Sequence, residues 1–230
     1  MDTKFILNFL QNLSNNNSLD WMKENKKYYE QAKMEFENLV HKLINGVKTF
    51  DDSIENLSPR DLIFRLNKDT RFSEDKSPYN PSFRAHISKN GKLPIPVGYY
   101  INIRPNNIFL GGGLFAPMFT DATKSIRDYM EENAGKFMEI IETEKFKNNF
   151  EICGEKLKNV PKEYDKEHKL AEYLKHKSWF LEHKIKDSTF LECDNFIKTS
   201  LKLFEYMKPF NDFLNMALKD FRMLQRKQVN

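Results

Sequence analysis

Glycine is scarce in this chain, at 8 of 230 residues, and cysteine scarcer still, at 2. The shortage of glycine excludes collagen-like and glycine-linker architectures. Cys153 and Cys193 are far apart, form no C-x-x-C pair and have no metal-ligand neighbour at zinc-site spacing. That excludes a disulfide framework and reads as two reduced thiols. No apolar run approaches the roughly 18 residues that span a membrane. The opening Met1-Asp2-Thr3-Lys4-Phe5 has neither the basic start nor the apolar core of a secretion signal. A cytoplasmic protein without membrane attachment is therefore expected, and the Asn-x-Ser matches at Asn12, Asn16 and Asn56 are chance in an Asn-rich chain. H-E-x-x-H, G-x-S-x-G, Walker and dinucleotide fingerprints are all missing. No metal or cofactor is expected, and no reaction is named. With 37 basic and 33 acidic residues the formal charge is only +4, which weighs against nucleic acid as a partner.

What is present is ordinary globular material. Hydrophobic residues make up 40% of the chain and charged residues 30%, with phenylalanine abundant at 20. The length suffices for a sizeable core. Residues 1–50 have a helical period. Phe5, Ile6, Phe9, Leu10 and Leu13 form one short stripe, and Asn17 or Ser18 can cap the next helix. Tyr28 or Tyr29, Ala32, Phe36, Leu39, Val40, Leu43 and Val47 form a longer stripe.

From 60 to 115 the period drops to two. Leu62–Leu66, Phe83–Ser88 and Tyr99–Arg104 each set apolar residues against polar ones, the mark of strands with one dry face. Pro105-Asn106-Asn107 has turn chemistry, so 99–104 and 108–114 are expected to pair as a hairpin. The glycines at 111–113 imply a bulge or a close backbone approach. Helix returns at 121–144 and 192–224, where Pro209 should kink or divide the last element. Ser178–Ile185 reads as one more strand. No repeat or linker interrupts the pattern. The expectation is one α+β domain over 1–230: a central, mainly antiparallel sheet flanked by N-terminal helices (1–50) and by mixed and helical segments at 120–225.

Arginine usage singles out the middle of the chain. There are 29 Lys and 8 Arg; six of the arginines, Arg60, Arg65, Arg71, Arg84, Arg104 and Arg127, lie between 60 and 127, where only 5 Lys fall. A guanidinium binds carboxylate or phosphate through two parallel bonds and keeps its charge when partly buried, which an ammonium does less well. The densest polar run lies here, from Arg65 to Tyr79.

Two readings fit. Arg65, Asp69, Arg71 and Asp75 can pair with one another and brace a long loop. Alternatively, the polar strand face is the floor of a site for a small anionic ligand. In that reading Arg65, Arg84, Tyr100 and Arg104 donate, Asp69 and Asp75 orient, and Arg71, Lys76 and Tyr79 form the rim; Arg127 belongs to the same arginine cluster. His86 on that face is an acid–base candidate. A module that binds nucleic acid or a protein partner is the remaining alternative.

The run Phe64-Arg65-Leu66-Asn67-Lys68-Asp69-Thr70-Arg71-Phe72-Ser73-Glu74-Asp75-Lys76-Ser77-Pro78-Tyr79 resembles the signature of the domain of unknown function 2461 family. Trp21 with Asn25-Lys26-Lys27-Tyr28-Tyr29, Gly98-Tyr99-Tyr100, Gly111-Gly112-Gly113-Leu114, Ile126-Arg127, Lys208-Pro209 and Phe213-Leu214-Asn215 follow in the family's order. Lys68, Glu74, Asn80 and Glu163 depart from its pattern. The resemblance implies one full-length domain in a bacterial-type cytosolic protein. It marks Arg65, Asp69, Arg71, Asp75, Lys76, Pro78 and Tyr79 as characteristic positions, and it implies no activity, since the family is uncharacterised.

Overall fold

Asp2 begins the first helix: its carboxylate accepts from the Phe5 amide at 2.8 Å, satisfying a donor that the helix cannot. The computed structural model describes residues 1–71, 73–117 and 119–222. In α1 (Thr3–Asn15), Ile6, Phe9, Leu10 and Leu13 are buried, as their spacing requires. Ser18 caps α2 (Leu19–Glu24) through the Trp21 amide, and α3 (Lys26–Val47) buries the predicted stripe from Ala32 to Val47. Asn17 has a different task. It clasps the backbone of Tyr79, donating to its carbonyl and accepting from its amide.

The expected strand at 62–66 does not form. Pro59 opens a one-turn helix, α4 (Pro59–Leu62), a position that suits its fixed φ and missing N–H. Beyond it only Ile63 bridges to Ala85, and the Phe64 amide bonds the Arg84 carbonyl at 2.9 Å. This short contact covers part of an otherwise open sheet edge.

The sheet comprises β1 (Phe83–Ile87), β2 (Tyr99–Ile103), β3 (Ile108–Leu114), β4 (Ile152–Cys153) and β5 (Trp179–Ile185), all antiparallel in the order β1-β2-β3-β5-β4. It thus reaches beyond 60–115 to take in two later strands. The hairpin of β2 and β3 forms as expected, with Asn106 at φ 60° in the turn. The remaining helices are α5 (Thr120–Glu132), α6 (Ala134–Ile141), α7 (Glu144–Lys147), α8 (Ala171–Leu174), α9 (Asp187–Leu191) and α10 (Cys193–Ala217). Pro209 lies inside α10 without dividing it. Pro209 and Glu205, whose carbonyl loses a donor, are exposed, so water can serve that carbonyl.

The N-terminal and C-terminal helices pack on the same side of the sheet. Phe36 of α3 stacks on Phe83 at 5.1 Å, and Phe204 of α10 packs on Tyr99 at 5.1 Å. The inward residues Phe83, Ala85, Ile87, Tyr99, Ile101, Ile103, Leu110 and Leu114 are buried and join one contiguous apolar cluster. The glycine triplet lets α10 approach β3 closely. A Cβ at Gly112 would stand 3.0 Å from Asn211 Oδ1 and 3.2 Å from Met207 Sδ; Gly113, at φ +88°, would drive one to 2.4 Å from the Trp179 carbonyl. Among the described residues no helix is long and apolar enough to cross a membrane.

Candidate binding site

Alternation sends Arg84, His86, Tyr100, Phe109 and Phe180 to the sheet face away from the helices. There their rings meet one another and two rings from flanking segments. Tyr100 lies 5.8 Å from Phe109, 5.3 Å from Phe115 and 6.2 Å from Phe64, and Phe115 stacks on Phe180 at 4.4 Å. All five are half-buried. This face is an aromatic platform flanked by loops.

Arg84 lies across it. Its guanidinium sits 5.4 Å over the Phe64 ring, and among the described residues no carboxylate pairs with it. Its Nε is buried without a hydrogen-bond partner. Burial pushes the Tyr100 hydroxyl pKa up, and the neighbouring Arg84 charge partly offsets this. His86, paired in register with Tyr100, is buried, and that burial pushes its pKa down to about 4 despite hydrogen bonding to the Gly91 and Leu93 backbone. It is therefore a neutral imidazole near pH 7.

Two concavities meet here. One, of about 210 Å³, is lined by Phe64, His86, Lys92, Pro94, Tyr100, Phe109, Gly113 and Phe115. The other, of about 420 Å³, runs past the β1 edge and is lined by Tyr29, Lys33, Glu37, Arg60, Ile63, Phe64, Arg65, Phe83 and Lys92. Phe64 and Lys92 belong to both. In the second cleft four cations face one carboxylate: Glu37 takes Arg60 at 3.4 Å and Lys33 at 3.7 Å.

The residues singled out from sequence fall into distinct groups. Arg84 and Tyr100 come together on the platform, and Arg65 is exposed in the adjoining cleft. Asp69, Arg71, Asp75 and Lys76 lie in an exposed loop whose ends pair through Asn67 and Tyr79. Within it Arg71 forks onto Asp69 at 3.0 and 2.7 Å, Lys68 holds Asp75 at 2.7 Å, and Lys76 bonds the Thr70 carbonyl at 3.1 Å. The fork holds the Asp69 carboxyl at about 2, and Lys68 with Ser77 holds Asp75 well below the usual carboxylate range. Tyr79 is buried at the base of the loop.

Arg104 is exposed just beyond the end of β2. Arg127 is on the helical side, where it donates to the carbonyls of Leu174 and His176 at 2.8 and 2.7 Å and lies 5.8 Å over Trp179. Its fork is spent on backbone oxygens. Phe64, Lys92, Pro94, Phe109 and Phe115 complete the platform and were not among the sequence candidates. Phe109 carried a readable signal, its alternation against the buried Ile108 and Leu110, whereas the alternation of Leu62–Leu66 grouped Phe64 with the buried Leu66. Among the described residues no group of three or more His, Cys, Asp or Glu is placed to hold a metal.

A family model described as conserved hypothetical protein (DUF2461) matches residues 5–213. The chain belongs to that family. No curated protein and no solved structure matches this DUF2461 protein. The match spans the motif loop, the platform and both concavities, so the groove is built from family sequence throughout.

Proposed function

We propose that this DUF2461 protein binds a small anionic ligand, a carboxylate or phosphate, on the aromatic sheet face. Arg84 is the principal donor, with Tyr100 beside it and Arg65 in the adjoining cleft. The observation that carries this reading is Arg84 itself. A half-buried guanidinium normally finds a carboxylate, because removing an unpaired charge from water is costly. This one rests on the Phe64 ring and against the Tyr100 hydroxyl, with Nε unbonded and no carboxylate paired to it among the described residues. An arriving anion supplies the partner and gains from the reduced water around it. The Arg65–Tyr79 loop then acts as a self-paired brace, with Asp69, Arg71, Asp75 and Lys76 engaged in its own contacts.

The test is thermal denaturation of wild type and Arg84→Met with phosphate, sulfate and a panel of small carboxylates. An anion at about 100 times its Kd should stabilise wild type by about 2.7 kcal/mol, or roughly 5–11 °C for a chain of this size. Arg84→Met should not respond. If no anion raises the wild-type melting temperature, the reading is wrong.

A further inference from the structure

We infer that the anion is the phosphate of a nucleotide, whose planar base lies in the aromatic well while its phosphate meets Arg84 over the Phe64 ring, with Arg65 of the basic cleft beside it. This rests on the anion reading above and narrows it. The argument begins with the two concavities, which differ in character yet share Phe64 and Lys92 as a common wall. The aromatic well, at about 210 Å³, is smaller than the ~300–1,000 Å³ of ordinary small-molecule sites, and its neighbour across Phe64 and Lys92 is about 420 Å³. A simple phosphate or a short carboxylate would use Arg84 and the neighbouring cations and leave the well empty. A ligand that uses both must carry charge at one end and a flat apolar body at the other.

The well's chemistry favours a heteroaromatic ring over an alkyl chain. Its walls are ring faces, Tyr100 against Phe109 and Phe115, which stack on any planar π-system. Gly113 adds bare backbone to the lining, where a flat group can approach. His86 contributes an uncharged imidazole, so the polar edge of a neutral base meets no buried charge there. In the cleft, Arg65 is exposed and Arg60 and Lys33 share a single carboxylate, leaving excess positive charge for a phosphate. An oligonucleotide would present the same ring and phosphate. The small well, with room for one ring system, and the near-balanced total charge favour the free nucleotide.

Isothermal titration with AMP, UMP, inorganic phosphate, hexyl phosphate and a ten-residue single strand tests this. At least one mononucleotide should bind ten-fold or more tighter than inorganic phosphate and than hexyl phosphate. Phe115→Leu should weaken the nucleotide about ten-fold and leave phosphate unchanged; Arg65→Met should weaken both. These positions are half-buried and exposed, so both variants should fold, which far-UV circular dichroism checks. Phosphate binding without any nucleotide preference would overturn the nucleotide and leave the anion reading standing. Hexyl phosphate equal to the nucleotides would replace the planar base with an alkyl chain. A strand that binds tighter than every mononucleotide would overturn the free nucleotide. Silence from all five probes, phosphate included, would overturn the nucleotide, and silence from the carboxylates and sulfate of the thermal test as well would remove the anion reading.

Discussion

The Tyr99 hydroxyl donates to Asp51 Oδ2 at 2.7 Å, joining the centre of the sheet to the segment that follows α3. Both residues are buried, and the other Asp51 oxygen accepts from the Ser53 amide and hydroxyl. Burial first, and the Asp51 charge second, push the Tyr99 hydroxyl pKa far above its ordinary value. The contact also establishes that Tyr99 faces the core and Tyr100 the open side, an assignment that a one-residue slip would reverse. Tyr99→Phe leaves a buried carboxylate oxygen without its donor. The expected cost is about 2 kcal/mol. Chemical denaturation should show that loss, and the melting temperature should fall by roughly 4–8 °C.

Arg127→Met should cost more. It strips the Leu174 and His176 carbonyls of their donors in a half-buried setting and removes the cation from the Trp179 face. The expected loss is about 3 kcal/mol, or roughly 6–12 °C in melting temperature. Arg127→Lys should recover only part of this, because one ammonium cannot reproduce the two-pronged geometry. Anion binding should be unchanged in either variant that remains folded.

The motif loop should behave in the opposite way. Asp69 and Arg71 are both exposed, and solvent screening leaves an exposed pair little to contribute to stability. Asp69→Asn should therefore shift the melting temperature far less than Arg127→Met does, even at low salt where the pair is least screened.

His86 gives the protein a pH dependence of known sign. Its pKa is about 4 when folded, against 6.5 for the free side chain. Below 6.5 the unfolded chain takes up a proton that the folded protein refuses, so stability is complete above that pH and falls as the pH drops towards 4. Between pH 8 and 5 the loss assignable to His86 is about 2 kcal/mol. His86→Gln should show a correspondingly shallower decline, read as the difference between the two unfolding curves across that interval. His176, also shifted down by burial, is present in both proteins and cancels in the comparison.

The parts legible in the sequence were those whose signal is local. Tyr99, Ile101 and Ile103 alternate with Tyr100 and Asn102, and a Pro-Asn-Asn turn comes next, so the hairpin was readable. The two residues of β4 were not, because their strand character comes only from pairing with Leu181 and Phe180. Leu62–Leu66 alternates as a strand does, but Pro59 starts a helical turn immediately before it, and the segment keeps a single bridge. At the candidate site, arginine enrichment led to Arg84, Tyr100 and Arg65. The same enrichment drew in Arg127, because a guanidinium serving backbone carbonyls has the composition of one awaiting an anion. The alternation of Leu62–Leu66 put Phe64 with the buried Leu66, which the irregular segment does not follow, and Lys92, Pro94 and Phe115 stand where no periodicity says which way a side chain faces.

β3 is a party wall. At Gly112 and Gly113 it is only a backbone thick, with Met207, Phe210 and Asn211 of α10 against it and Gly113 itself in the wall of the aromatic well. Neither surface can be remodelled through these positions without disturbing the other, since a methyl group here displaces the helix or strains the strand. Divergence of ligand preference among related chains must therefore enter from the surrounding segments that carry Phe64, Lys92, Pro94 and Phe115. The triplet itself should hold still while its borders drift.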